Sequence, residues 1–263
     1  MNKVIFLFAI ANSFYANAQI KSADANREKP MNTAIGCIYM SPEEREMIYE
    51  INRVRHDPTS YLPYLLPMLK DAALQLKVNG RGEKNYSVTF SSTSQNGKNL
   101  ASIDTTWHYT NEENVKALTT LMDDLKKLKR LSILLPDSGI YLAAKKHAAD
   151  QQAHDWKLLH TGSDGSSPRD RIILFSPSMG YGNENIGGRY GYASSTPRDM
   201  IIQLLIDAGI PDYGHRYNLL DPLWTYAACS IEKFKGMYWW IQDFGFKRNK
   251  PVINPKVPVK PLH

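Results

Sequence analysis

Two histidines and two acidic residues in the second half of the chain could act together in one chemical site. They are His160, Glu184, Asp207 and His215. The imidazoles could bind a divalent metal such as zinc, with the acids fixing the tautomer of each ring. The four groups could instead act as general acid and base, or form a buried hydrogen-bond network. Their separations of 24, 23 and 8 residues match no compact zinc motif, so all three alternatives stay open.

The sequence around each candidate suggests that its side chain needs a partner. Asp207 shares the apolar face of a predicted helix with Met200 and Leu204, where an unpaired charge would be costly. Glu184 lies in a short strand-like segment bordered by glycines, which let other backbone approach. His215 follows a glycine directly and can change charge near neutral pH.

The same region offers a rival metal site and several hydroxyl groups. His147, Asp150 and His154 fall on one side of a predicted helix, which is also typical of a half-exposed helix flank. Serines follow His160 closely, but no nucleophile-elbow pattern surrounds them. A hydrolase using these residues would therefore depend on an activated water.

The first eighteen residues have the pattern of a secretory signal peptide. A lysine precedes an apolar run over residues 4–11, and Ala16-Asn17-Ala18 supplies the small residues of a cleavage site. We expect cleavage between Ala18 and Gln19 and a secreted or periplasmic protein. The apolar run is too short to span a bilayer, and no later stretch is long enough.

Composition excludes some classes of function. Of 263 residues, 43% are hydrophobic and 22% charged, which is sufficient for an ordinary core. The formal charge of +6 is scattered, apart from a basic cluster at residues 126–130 and a basic, proline-spaced tail over 248–263. No basic stripe alternates with aromatic residues, so a nucleic-acid partner is not expected.

The two cysteines, Cys37 and Cys229, leave two alternatives. Export permits a disulfide between them, which would close a loop of 192 residues. They could equally be two separate buried thiols.

Several segments carry helix-start signals in which a capping side chain precedes proline or acidic residues. These signals begin at Ser41, Thr110, Pro136, Ser167 and Thr196. The first predicted helix ends at Asp57-Pro58, and the third runs to about His154.

The rest of the chain is less regular before residue 101 and strand-like near the end. Pro63, Pro67 and Asn79-Gly80 interrupt any helix over residues 59–101, where a short strand is predicted near Tyr86. Residues 224–232 and 237–244 are rich in aromatic and β-branched residues and predict an antiparallel hairpin. Helices followed by late-pairing strands indicate an α+β fold.

Several separated blocks resemble the CAP superfamily of cysteine-rich secretory, antigen 5 and pathogenesis-related proteins, in the form of a secreted bacterial member. They are His160 to Arg171, Asn183-Glu184-Asn185-Ile186, Thr196 to Asp207, Gly214 to Leu220 and Ile241-Gln242-Asp243-Phe244. The resemblance implies an α-β-α sandwich with a small antiparallel sheet. Its layout is a lead-in over 19–36 and a domain over 37–247, with an insertion around 64–131.

The resemblance also implies a central cleft that holds two histidines and two acids. The family's positions match His160, Glu184 and His215. Its second acid usually follows a helix tryptophan by three residues, and here Leu204 and Asp207 hold those two places. The shorter acid keeps the charge but changes its reach, and the many disulfides of animal members are missing.

The resemblance therefore implies an exported domain whose cleft binds a ligand, such as a lipid, a sterol or a surface component. A divalent metal held by His160 and His215 is part of this expectation. A protease-like hydrolase and a purely structural polar network are the alternatives, and neither enzyme activity nor the oligomeric state follows from the sequence.

Overall fold

The computed structural model describes residues 30–95, 98–156, 158–190 and 196–248. The predicted signal peptide, its cleavage site and residues 249–263 of the predicted tail lie outside the described residues.

Helices and strands are numbered in chain order. The α-helices are α1 (Pro42–His56), α2 (Leu62–Asn79), α3 (Thr110–Lys127), α4 (Ser138–Ala153), α5 (Pro168–Phe175), α6 (Pro197–Ile206) and α7 (Gly214–Leu220). The strands are β1 (Lys84–Gln95), β2 (Lys98–Tyr109), β3 (Leu135–Pro136), β4 (Met179–Tyr190), β5 (Tyr226–Phe234) and β6 (Met237–Lys247). Short 3-10 helices cover Pro58–Tyr61 and Pro211–Tyr213.

The central sheet has four strands in the order β3-β5-β6-β4. β5 and β6 form the predicted antiparallel hairpin, and β6 also pairs antiparallel with β4, while the two-residue β3 runs parallel to β5. The hairpin turns at Lys235 and Gly236, which both have positive φ, at 49° and 77°. Two successive positive φ values are typical of a tight turn that matches the twist of the strands.

Helices cover both faces of this sheet, which confirms the predicted α+β class and the α-β-α sandwich. On one face, Cys229 Sγ donates to the carbonyl of Glu44 in α1, and Asn185 donates to the carbonyl of His215 in α7. On the other face, Glu184 accepts from Arg171 in α5. Since successive side chains of a strand point to opposite faces, adjacent residues 184 and 185 contact different helix layers.

Three of the predicted helix starts have the expected caps. Ser41, Ser167 and Thr196 each form a capping box with the acid three residues later. The capping box predicted at Thr110 is wrong, because the Thr110 hydroxyl accepts the backbone N–H of Glu83 and the preceding Tyr109 provides no side-chain cap. The Thr110 hydroxyl, which was expected to cap α3, therefore binds the backbone at the base of the β1–β2 hairpin.

The segment expected to be irregular contains an 18-residue helix, α2. Pro63 lies in its first turn, where the missing N–H has no helical partner to lose. Pro67 lies inside the helix and removes one backbone bond, which packing of Leu65 into the core compensates. Asn79-Gly80 ends the helix as expected, with Gly80 at a φ of 69°.

The predicted insertion around 64–131 contains most of α2, the β1–β2 hairpin and α3. β1 and β2 form a separate two-stranded sheet, in agreement with the strand predicted near Tyr86. In contrast, α3 contributes Leu118, Leu121 and Leu125 to the main hydrophobic cluster.

The lead-in is anchored where the structure describes it, so the expectation of a loose segment is wrong for residues 30–36. Met31 and Ala34 are buried. The buried Asn52 side chain donates to the Met31 carbonyl at 3.0 Å and accepts the Leu134 N–H at 2.7 Å. The Asn52 amide therefore connects the start of the domain to the residue directly before β3.

Cys37 and Cys229 are both free thiols in the structure, but only Cys229 is buried, whereas Cys37 is half-buried. Burial raises the pKa of the Cys229 thiol well above its usual range, so this group stays neutral. Among the helices that the structure describes, none combines the length and apolar character needed to cross a bilayer.

Candidate functional site

The first histidine and the first acid are in direct contact. His160 Nδ1 lies 2.9 Å from Glu184 Oε1, and Arg171 donates to Glu184 Oε2 at 2.9 Å and to the His160 carbonyl at 3.0 Å. The Glu184 side chain is fully buried, whereas that of His160 is half exposed. A buried guanidinium and a carboxylate thus hold an imidazole whose other face remains accessible.

His147 approaches the same carboxylate from α4. Its ring is fully buried, with Nε2 2.9 Å from the Leu159 carbonyl and 3.7 Å from Glu184 Oε1. Burial lowers the pKa of His147, which favours a neutral ring. Asp150, the middle member of the rival metal site, lies 3.9 Å from His147 Nδ1 and 3.4 Å from His154 Nδ1, and it also accepts from the hydroxyl and backbone of Ser163. The three residues are therefore close together, but within the described ranges they do not have the geometry of a metal site.

The second acid and the second histidine form another pair. Asp207 ends α6 in the left-handed region, with a φ of 55°. Its carboxylate accepts from the His215 backbone N–H at 2.8 Å and lies 2.7 Å from His215 Nδ1. Asp207 is 5% exposed and follows the last residue of α6 instead of lying on its apolar face. His215 supplies the partner that the sequence predicted for this buried charge.

An asparagine on β4 connects the two pairs. Asn185 follows Glu184 directly, and its Nδ2 donates to the His215 carbonyl at 3.3 Å. Asn218 in turn donates to Asn185 Oδ1 at 2.9 Å and accepts from the indole N–H of Trp224 at 3.0 Å. Two successive side chains of the edge strand β4 therefore reach the two pairs: Glu184 contacts His160, and Asn185 contacts the backbone of His215.

A cleft of about 670 Å³ opens beside the Asp207–His215 pair. The residues that line it include the apolar side chains Leu158, Ile186, Ile202, Leu204, Ile206 and Ile210. Asp207 and His215 supply polar groups to the cleft, whereas His160 and Glu184 are not among its described lining residues. Leu158, however, lies two residues before His160, so the loop of the first pair reaches the cleft.

Both imidazoles are oriented by carboxylates at Nδ1, which leaves each Nε2 atom for another partner. Ligating histidines and general bases both use this arrangement. Within the described ranges, no serine or cysteine side chain hydrogen-bonds to either ring, and no cluster of three or more potential ligands has metal-binding geometry. The site therefore offers two oriented imidazoles beside an apolar cleft.

Sequence reasoning missed Arg171, Asn185 and Asp243 as members of this network. Arg171 is 1% exposed and Asp243 fully buried. The blocks that carry the resemblance contain all three, but their pairing across strands and layers is not apparent from spacing along the chain.

Comparison with known proteins identifies one family. Residues 119–244 match the model described as the CAP cysteine-rich secretory protein family. No curated protein matches the chain.

Two solved structures are similar to parts of the chain. An outer surface protein from Borrelia burgdorferi is 19% identical over 52% of this chain and 95% of its own, with a TM-score of 0.38. An extracellular protein containing a SCP domain from Bacillus anthracis str. Ames is 17% identical over 55% of this chain, with a TM-score of 0.36. The match spans 47% of the length of that second protein.

Proposed function

The chain carries a domain of the CAP superfamily over residues 119–244, and from this premise we propose that it is an exported protein whose cleft binds a small amphipathic ligand. The ligand has an apolar body, as in a lipid or sterol, and a polar group that reaches His215.

The observation that carries this proposal is the lining of the cleft. Ile186, Ile202 and Leu204 present apolar surface, while His215 and Asp207 provide a hydrogen-bonding pair. A volume of about 670 Å³ lies within the range of about 300–1,000 Å³ that is usual for small-molecule sites. The polar residues of the lining are Asn114, Asp199, Gln203, Asp207 and His215. A cleft that combines apolar surface with such groups selects a ligand with both an apolar and a polar part.

The rim of the cleft supports the same conclusion. Leu158 is 43% exposed and Ile210 is 42% exposed, although both are large apolar side chains. Removing apolar surface from water stabilises a complex by about 25 cal/mol per Å². A bound apolar molecule would therefore gain free energy by covering both residues.

We expect the double variant Leu158→Ser and Ile210→Ser to bind a fluorescent long-chain fatty acid more weakly than the wild type. Partial burial of each side chain contributes about 1 kcal/mol, so the dissociation constant should rise roughly ten- to thirtyfold. Titration of fluorescence measures the change. The matched control is Leu174→Ser, since Leu174 is 64% exposed on α5 and does not line the cleft.

Two results would contradict this assignment. One is wild-type protein that binds neither a fatty acid nor a sterol probe at micromolar concentration. The other is an equal loss of affinity in the Leu174 control, which would indicate non-specific adsorption.

Export rests on the pattern of a lysine, an apolar run and Ala16-Asn17-Ala18 in the first eighteen residues. Expression of the full chain in a bacterium followed by N-terminal sequencing should give Gln19 as the first residue of the exported form. An intact N-terminus in the cell interior would contradict this part of the proposal.

A second candidate function is binding of a divalent cation, favoured by the orientation of both imidazoles. His160 and His215 would supply the protein ligands through Nε2, with Glu184 and Asp207 fixing the rings. Two protein ligands are fewer than the three or four of zinc sites, so water or the bound molecule would have to complete the coordination.

Zinc titration by calorimetry tests this second candidate. We expect a binding heat for the wild type that disappears in the double variant His160→Ala and His215→Ala. His154→Ala is the control, since its side chain is half exposed on the flank of α4. Equal heats for the wild type and the double variant would rule out a cation site formed by these two residues.

A further inference from the structure

Asp243 is a fully buried carboxyl group whose two oxygens have no hydrogen-bond partner among the described side chains and backbone. It lies on β6 directly opposite Glu184 on β4. Residues that face each other across antiparallel strands place their side chains on the same face of the sheet. Two buried carboxyl groups therefore adjoin, although neither carboxylate can donate a hydrogen bond to the other.

The positive charge beside Glu184 and Asp243 is sufficient to compensate one carboxylate, but not two. The charged groups that act on Asp243 are Glu184 on β4 and Arg171 on α5. Ala228 of β5 lies opposite Asp243, and the neighbouring Cys229 points to the other face of the sheet. Arg171 supplies one positive charge and donates directly to Glu184 Oε2. The Cys229 thiol is neutral, and burial also favours the neutral form of His147 on α4, which approaches Glu184.

A second carboxylate here would be an uncompensated buried charge. Burial raises the pKa of Asp243 well above its usual range, and the negative charge of Glu184 raises it further, while Arg171 opposes both. Like-charged carboxyl groups that share a site commonly retain one proton between them.

We propose that Asp243 is a neutral carboxylic acid at physiological pH and that its proton lies in a hydrogen bond to Glu184. The proton supplies the donor that the Asp243 oxygens otherwise lack. The bond also fixes Glu184 as the anion that orients His160, which makes Asp243 a positioning residue of the site. The role of Asp243 in ligand binding rests on the proposed function. The shared proton between Asp243 and Glu184 is independent of that function.

The proposal has a consequence for stability. The folded protein retains a proton that the unfolded chain loses near pH 4, so stability should fall as the pH rises above that value. One linked proton raises the unfolding equilibrium constant by up to tenfold per pH unit, until the pH passes the folded-state pKa. Urea unfolding between pH 7 and pH 9 should therefore show a loss of stability with rising pH that Asp243→Asn removes, since the lowered pKa of His147 affects stability only below about pH 6.5.

The control variant is Asp123→Asn, because Asp123 is half exposed on α3 and pairs with Lys126. It should retain the wild-type slope. Equal slopes in the wild type and Asp243→Asn would overturn the proposal.

Carbon NMR of aspartate-labelled protein gives a second, direct reading. One carboxyl carbon should have the chemical shift of a protonated acid at pH 7, and this signal should be absent from Asp243→Asn. If every aspartate of the wild type is ionised at pH 7, the proposal is wrong, whether or not the cleft binds a lipid.

The positioning role has its own test. Nitrogen NMR at pH 8 should show His160 in the tautomer protonated at Nδ1 in the wild type and in Asp243→Asn, whose amide can still donate to Glu184. Asp243→Leu removes the donor and should give mixed tautomers. A single tautomer in the folded Asp243→Leu variant would contradict the positioning role. If Asp243→Leu does not fold, the smaller Asp243→Ala also removes the donor, and a single tautomer there would contradict the role equally.

Discussion

An Arg171→Met variant is expected to lose about 3–5 kcal/mol of its free energy of unfolding. Arg171 is 1% exposed and is the cation that faces the fully buried Glu184 carboxylate at 2.9 Å. It also donates to the carbonyls of His160 and Ser166. Methionine preserves much of the volume but leaves a buried charge and two carbonyl groups without this partner, and that loss exceeds the gain from burying an apolar chain.

Urea denaturation at pH 7 measures the loss, and Arg169→Met is the matched control because Arg169 is exposed on the same helix. The control should change stability by about 0.5 kcal/mol or less. Adding Glu184→Gln to Arg171→Met removes the unpaired charge and should restore part of the stability. A loss below about 1 kcal/mol in Arg171→Met would show that the pair is not buried as described.

The second large effect is expected for Arg216→Met, with a loss of about 3–4 kcal/mol. The Arg216 guanidinium donates to the Leu205 and Ile206 carbonyls at the end of α6 and to the Ala117 carbonyl in α3. It also pairs with Asp124 at 3.1 Å. Its removal would take away the donor that the Leu205 and Ile206 carbonyls share where α3, α6 and α7 meet, while the Ala117 carbonyl would keep a bond from the Thr120 hydroxyl.

Arg130→Met is the control for this variant, since exposed Arg130 donates a single bond to the His56 carbonyl. It should lower the free energy of unfolding by less than about 1 kcal/mol. Thermal unfolding followed by circular dichroism compares the two variants. Equal melting temperatures would mean that Arg216 does not join the three helices.

The parts of the fold that follow from local signals were predictable. Ser41, Ser167 and Thr196 cap their helices because the required acid is three residues away, within reach of the same turn. Thr110 carries the same signal but meets a competitor from β1 that is distant in sequence. α2 was missed because its prolines weaken the local signal, whereas tertiary burial of Leu65 stabilises the helix.

In the candidate site, too, contacts that depend on local sequence were predictable and contacts between distant elements were not. Asp207 could be expected to need a partner because its helical neighbours are apolar, and the structure pairs it with His215. The residues that complete the first pair could not be read from spacing. Arg171 reaches Glu184 from another layer, and Asp243 faces it only because of the strand register. Register depends on the whole sheet rather than on any short segment.

The separate β1–β2 sheet makes the domain tolerant of change at one place. Arg81 and Glu112 form an ion pair beside the base of this hairpin, and the helix α3 that follows is part of the hydrophobic core. The outer part of the hairpin, over residues 91–102, can therefore be shortened or exchanged for a reporter peptide, whereas Ser87, Thr106 and His108 line a pocket with Gly209 and Tyr213 and should be kept. Excising the neighbouring helices as well would remove structural support and yield an insoluble fragment, so an engineered minimal version should begin by trimming the hairpin alone.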